Sequence, residues 1–223
     1  MSKKVPSVYW GFPVILGAIW GLSEAGLGIG LQQCASQASG SIMTGVALFF
    51  MAGCWALTGR ILGIAMLVIM ASLFKMFDAL LLSLPLNSGA IANPIFAFIT
   101  EGLAFFILVA IIQPELKQKK YGQALTGGMA GLLAANLFPV VKYVTGIPAC
   151  VFPGTNYPLS LYYAPLAAGV SLLTVPLGFW AGSKIKALES KLTVPARLKR
   201  LDYLVPSAAL ILCLALMTLI RLG

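Results

Sequence analysis

Residues 17–30, GAIWGLSEAGLGIG, place one carboxylate, Glu24, in an apolar run whose small residues recur every third or fourth position. The run stays apolar on both sides and reads as a membrane-spanning helix over 8–31, longer than the roughly 20 residues a span requires. Such a helix satisfies its own backbone hydrogen bonds, which is what lets a single segment cross hydrocarbon. Glu24 is then a group that lipid does not solvate, since a charge near the centre of a span costs at least about 2.5–3.5 kcal/mol. The glycines have a separate explanation. Gly17, Gly21 and Ala25 are spaced four apart and form one stripe, along which another helix backbone can approach closely. Glu24 lies about 100° round the helix from Ala25, so the stripe can pack while the carboxylate points elsewhere.

The rest of the chain is of the same kind. Its 223 residues are 60% hydrophobic and only 9% charged, where soluble domains carry about a quarter charged residues. We predict an all-α fold: a polytopic membrane helix bundle of six to seven transmembrane helices, at about 8–31, 42–57, 61–84, 93–113, 123–145, 165–184 and 203–221, in a single integral membrane domain, 1–223. No room remains for a soluble ATPase, kinase or protease domain, and no G-x-x-x-x-G-K-[ST] stretch for nucleotide binding occurs. The chain has no histidine, hence neither the commonest metal ligand nor the commonest acid–base group. We expect no catalytic residue, no metal and no cofactor, and so no enzyme; the candidate Ser-Lys dyad among the charges buried in spans is Ser72 with Lys75. The four cysteines, Cys34, Cys54, Cys150 and Cys213, contain no CxxC, and a Cys34–Cys150 disulfide is one possible pairing. Residues 145–164, TGIPACVFPGTNYPLSLYYA, hold three prolines and two glycines and read as a long structured loop.

The net charge is +9, and its distribution argues for membrane orientation, with lipid as partner, rather than for nucleic acid. With the N-terminus cytoplasmic, Lys3, Lys4, Arg60, Lys117, Lys119, Lys120, Lys184, Lys186, Lys191, Arg197, Lys199 and Arg200 all fall inside, 12 of the 15 basic residues, as the positive-inside rule requires. Arg221 falls outside. The expected location is the cell (plasma or inner) membrane. The run KALESKLTVPARLKR, 186–200, reads as a short amphipathic helix on the membrane surface or a docking segment for a cytoplasmic partner.

Five ionisable residues remain within spans: Glu24, Lys75, Asp78, Glu101 and Lys142. At about 1.5 Å per residue, all five sit in the outer half of the membrane, on four different helices. Gln32, Gln33, Asn87, Asn93 and Asn136 gather at the same level, and the 145–164 loop brings Asn156, Tyr157, Tyr162 and Tyr163. Charged and aromatic groups beneath a loop suggest a pocket open to the outside. The competing account is packing: Lys75 and Asp78 can pair at i,i+3, and Lys142 with Glu24 or Glu101. Three acids against two lysines still leave one negative charge to be met by a proton or by something cationic or hydrogen-bonding.

This combination resembles the substrate-binding S-components of energy-coupling factor (ECF) transporters over roughly residues 1–185. Those are small membrane proteins, usually of six helices, with a cytoplasmic N-terminus. The resemblance implies that the stripe Gly17, Gly21 and Ala25 docks a coupling subunit, that QQCASQASG, 32–40, and 145–164 gate the ligand, and that separate ATPases supply energy. The missing histidine excludes the nickel- and cobalt-binding branch and leaves the vitamin-type members. The expected function is a substrate-binding membrane subunit for uptake of a small water-soluble, vitamin-like nutrient. Its site residues would be Glu24, Lys75, Asp78, Glu101, Asn136, Lys142, Asn156, Tyr157 and Tyr162. Two alternatives stand beside it: a proton-coupled secondary carrier, and a structural or assembly subunit of a membrane complex.

Overall fold

The computed structural model describes residues 8–34, 36–112, 119–146, 151, 154–191 and 204–222, with the backbone alone at 8–10, 28–34 and 36–37. The helices are α1 (Val8–Cys34), α2 (Ser36–Thr58), α3 (Ile61–Leu81), α4 (Gly89–Ile111), α5 (Lys120–Leu137), α6 (Val141–Thr145), α7 (Leu159–Lys191) and α8 (Leu204–Leu222), with a 3-10 turn at Phe138–Val140 joining α5 to α6. Among the described residues there is no strand, only an isolated antiparallel bridge between Val151 and Pro158. Six helices are long and apolar enough to cross a membrane, the α5–α6 unit counting as one, and α1 adds a shorter apolar stretch at Gly11–Leu27. The chain is an all-α polytopic membrane bundle.

Several boundaries differ from those read in the sequence, each for a local reason. The second span starts at Ser36 rather than 42, so the expected gate loop 32–40 is helical wherever its backbone is described. Its serines and glycine read as a turn, but in a bundle such residues face a neighbouring helix. The last span of the hairpin at 145–164 begins at Leu159 rather than 165, which shortens the loop. At the other end α7 continues to Lys191, absorbing the first residues of the run 186–200; the remainder of that run lies outside the described residues, as does the Cys34–Cys150 pairing. Pro139 explains the break in the fifth span. It has no N–H for the Ala135 carbonyl, and the backbone tightens there into the 3-10 turn.

The reversal between α2 and α3 takes only Gly59 and Arg60. Gly59 adopts φ +59°, a left-handed conformation that costs glycine little. Thr58 closes the turn: its hydroxyl donates to the Cys54 carbonyl at 2.8 Å and accepts from the Arg60 N–H at 3.3 Å.

Small residues set the helix spacing, because without water to exclude, association in lipid depends on close van der Waals contact. α7 packs against α2 on one side and α5 on the other. A side chain at Gly178 would meet Ala52 Cβ at 2.9 Å and the Phe49 carbonyl carbon at 3.1 Å, and one at Gly182 would meet Ala56 Cβ at 2.8 Å. Gly131 plays the same part between α5 and α7, 2.8 Å from Ser171 Oγ. The α1 stripe is likewise used within the chain. A side chain at Gly17 would lie 2.6 Å from Met70 Cβ and 2.9 Å from the Leu67 carbonyl; one at Gly21 would strike Phe74; and Ala25 is buried in the same cluster as Phe74. The stripe expected to dock a coupling subunit is therefore covered by α3, and these residues hold α1 on α3 instead.

Gly178→Leu puts a side chain against backbone that cannot yield. It should destabilise by at least the about 1–3 kcal/mol typical of overpacking. Gly169→Leu on the same helix, where a side chain meets nothing within 4 Å, should be silent. Thermal denaturation of the two purified variants in one detergent, followed by size-exclusion chromatography, checks the contrast.

Candidate functional site

One end of the bundle holds a cavity of about 240 Å³. Its walls come from the C-terminal part of α1, the N-terminal parts of α2, α4 and α7, and the turn after α5. The described basic residues Arg60, Lys119, Lys120, Lys184, Lys186 and Lys191 lie at the opposite end, at the α2–α3 turn, the start of α5 and the end of α7.

Helical periodicity builds each wall. On α4, Asn93, Pro94, Ala97, Phe98 and Glu101 line the cavity, at the one- and four-residue steps that keep side chains on one helix face. On α2 the same steps bring Ser39, Gly40, Met43 and Thr44. Glu24 enters from α1, Phe138 from the turn after α5 and Tyr163 from α7. Phe98 packs on the fully buried Trp20, ring centres 4.7 Å apart, which braces this wall against α1. Phe138 meets Phe96 edge to face at 6.3 Å. Gly40 leaves space for the Tyr163 ring, whose carbons would lie 3.0 Å from any side chain placed there. The Ser41 hydroxyl donates to the Tyr163 carbonyl at 3.2 Å, tying α2 to α7 at the same level.

Two carboxylates meet here. Glu101 is 5% exposed and accepts a hydrogen bond from the Thr44 hydroxyl. It also faces a water-sized pouch that Thr44, Phe138 and Tyr163 share. Glu24 is partly exposed and lies within electrostatic range of Glu101. The Asn93 side-chain oxygen is buried without a hydrogen-bond partner. Among the described residues no lysine or arginine lines the cavity.

The other expected site residues are placed elsewhere. Asp78, on α3, accepts from Lys75 Nζ at 3.1 Å. The Arg221 guanidinium on α8 grips both of its oxygens, Nε to Oδ1 at 2.6 Å and Nη2 to Oδ2 at 2.8 Å. Asp78 is 1% exposed, with Lys75 at 11% and Arg221 at 12%. This is a buried ion-pair cluster beside the cavity, within electrostatic range of Glu24, and it does not line the cavity. The Lys75–Asp78 pairing is the one that their spacing suggested; Arg221, expected in the outer flank, is its unforeseen third member. The Ser72–Lys75 arrangement is not a dyad: Ser72 donates to the Val68 carbonyl at 2.8 Å and Lys75 is held by Asp78. Asn136 is exposed and turns back to donate to the Leu132 carbonyl at 2.8 Å on its own helix. Lys142 is exposed on α6 and makes no ion pair with Glu24 or Glu101. Asn156, Tyr157 and Tyr162 are exposed and outside the cavity wall. Tyr163, the next residue along α7 from Tyr162, takes the place expected of them.

At the basic end a second hollow, of about 510 Å³, runs between Lys120 and Gln123 of α5 and the Phe179–Ser183 part of α7. It contains no acid, and its tryptophan, Trp180, is 62% exposed, as aromatic residues at a membrane interface are. Among the described residues, no three of Cys, Asp and Glu converge where they would hold a metal ion. No protein-family model, curated protein or solved structure matches the chain.

The ion cluster gives a direct test. Removing one partner of a buried pair costs about 3–5 kcal/mol when the other is left alone; with Lys75 still present, Arg221→Ala should lose less than that, and Asp78→Ala, which strands two cations, should lose more. Unfolding of both variants in mixed micelles by increasing dodecyl sulfate fraction measures the order.

Proposed function

We propose that this chain is a non-catalytic, substrate-binding membrane subunit that captures a small water-soluble nutrient, vitamin-like in size, in the cavity between Glu24 and Glu101. The observation that carries this reading is the meeting of two acids from α1 and α4 in one cavity with aromatic walls, at the end of the bundle opposite Arg60, Lys119, Lys120, Lys184, Lys186 and Lys191. By the positive-inside rule that end faces the exterior of a plasma or inner membrane. Mostly apolar walls with a few convergent polar groups are the usual make-up of a small-molecule site. Transport would be energised by separate ATPases, since the chain has no phosphate-binding loop of its own, and this is the division of labour in the ECF S-components that the sequence resembles. Because α3 covers the Gly17–Gly21–Ala25 stripe, a coupling subunit would dock on another surface, and the exposed length of α7 at the basic end is one that reaches the cytoplasmic side.

A second reading has one observation in its favour. Pro94 sits in the cavity wall on α4; the helix runs on through it, but the Ala90 carbonyl loses its N–H donor there, a weak point of the kind at which secondary carriers interrupt helices at their sites. In that case the purified chain, reconstituted alone, would drive uptake from a proton gradient without ATP.

Glu24→Gln and Glu101→Gln should each abolish retention of the ligand that co-purifies with the wild-type chain, with melting temperatures within a few degrees of wild type. Native mass spectrometry and a thermal melt on the same samples measure both. Normal retention in both variants would make the acids packing elements and remove the site.

A further inference from the structure

We infer that the captured solute is a small organic cation with a single positive charge, an amine that donates N–H hydrogen bonds and carries an apolar or aromatic body. This rests on the capture reading and names the class of ligand for the same cavity.

Charge balance supplies the first reason. The charged groups gathered at this level are Lys75 and Arg221 against Glu24, Asp78 and Glu101, which leaves one negative charge. The two cations are both committed to Asp78, and neither lines the cavity. Lys142, which was the other candidate counter-charge, is exposed on α6. In a low-dielectric setting an unmatched carboxylate is costly, and a ligand of charge +1 cancels it. An anionic solute would add to the repulsion between Glu24 and Glu101. A neutral one would leave that charge to be met by a proton, the other outcome the residue count allows.

Hydrogen-bond chemistry supplies the second. The residues lining the cavity bring acceptors: the Glu101 carboxylate, of whose several lone-pair positions Thr44 uses one, and the Glu24 carboxylate. A protonated amine is all donor and no acceptor, which is the complement of this set. The third reason is the walls. Phe98, Phe138 and Tyr163 line the same space, and aromatic faces attract ammonium groups while packing an apolar body. A volume of about 240 Å³ admits one small molecule, not a peptide or a lipid.

The test uses the full-length chain in lipid nanodiscs and three probes of nearly one shape: 2-phenylethylammonium, neutral 2-phenylethanol and anionic 3-phenylpropionate. They are supplemented by an equimolar mixture of small metabolite-like amines, alcohols and acids, with adducts read by native mass spectrometry. The ammonium probe should occupy the wild-type protein at least tenfold more tightly than the alcohol, and the carboxylate should leave no adduct. Within the mixture the adducts should be amines. Glu101→Gln removes the excess negative charge, so it should reverse the preference between ammonium and alcohol rather than merely weaken binding. Adducts confined to alcohols or acids would overturn the cation assignment and leave solute capture standing. No adduct from any class on the wild-type chain would overturn capture and the assignment together. An ammonium preference unchanged in Glu101→Gln, at an unchanged melting temperature, would place the cation outside this cavity and overturn the assignment.

Discussion

The two-toothed grip of the Arg221 guanidinium on the Asp78 carboxylate decides what the neighbouring acids can do. Planar Arg–carboxylate pairs are strong because the two parallel hydrogen bonds add to the charge attraction. Here the pair draws the last helix of the chain onto α3, and Lys75 joins it at 3.1 Å. Every cation at this depth that faces the bundle is thereby engaged, and Glu24 and Glu101 are left in a cavity that holds no basic side chain. Had Lys75 turned toward Glu24, the acids would have been neutralised as a packing device and the cavity would have no electrostatic character.

The second constraint is the close approach of α2, α5 and α7. Close contacts at Gly178 and Gly182 hold α7 on α2, and those at Gly131 hold it on α5. At the cavity end the facing residues change from glycine and alanine to methionine, phenylalanine and tyrosine, and the helices there enclose space instead of filling it. The fully buried Trp20, Phe105, Leu48 and Met51 form a dry core between that space and the basic end.

Much of this was legible in the sequence, and the part that was not has identifiable causes. A carboxylate in an apolar run announces itself, so Glu24 and Glu101 were readable from composition alone. Lys75 and Asp78 were readable as a pair because three-residue spacing is a local property of a helix. The glycine stripe in the first predicted span was readable as a contact, but not which helix it would meet, and α3 rather than another subunit took it. Thr44 escaped because a lone hydroxyl in an apolar span carries no charge to draw notice, and Ser39 because a stretch of serine, alanine and glycine reads as a turn when its helix is begun six residues late. Tyr157 and Tyr162 were chosen over Tyr163 for the same reason: with α7 begun at 165 instead of Leu159, the rotational phase of the tyrosines is lost. Arg221 lay beyond any local rule, since its partner is 143 residues away and only the folded chain brings the two together.

Helix α7 has 33 residues, about 50 Å of rod at 1.5 Å per residue, against a hydrocarbon thickness of about 30 Å. One end carries Tyr163 at the cavity wall, and the other carries Lys184, Lys186 and Lys191. Its close contacts with α2 and α5 lie between the two ends. One continuous helix therefore joins the wall of the cavity to the lysine-bearing end, so on the reading proposed above a partner that grips those lysines would be in mechanical contact with Tyr163.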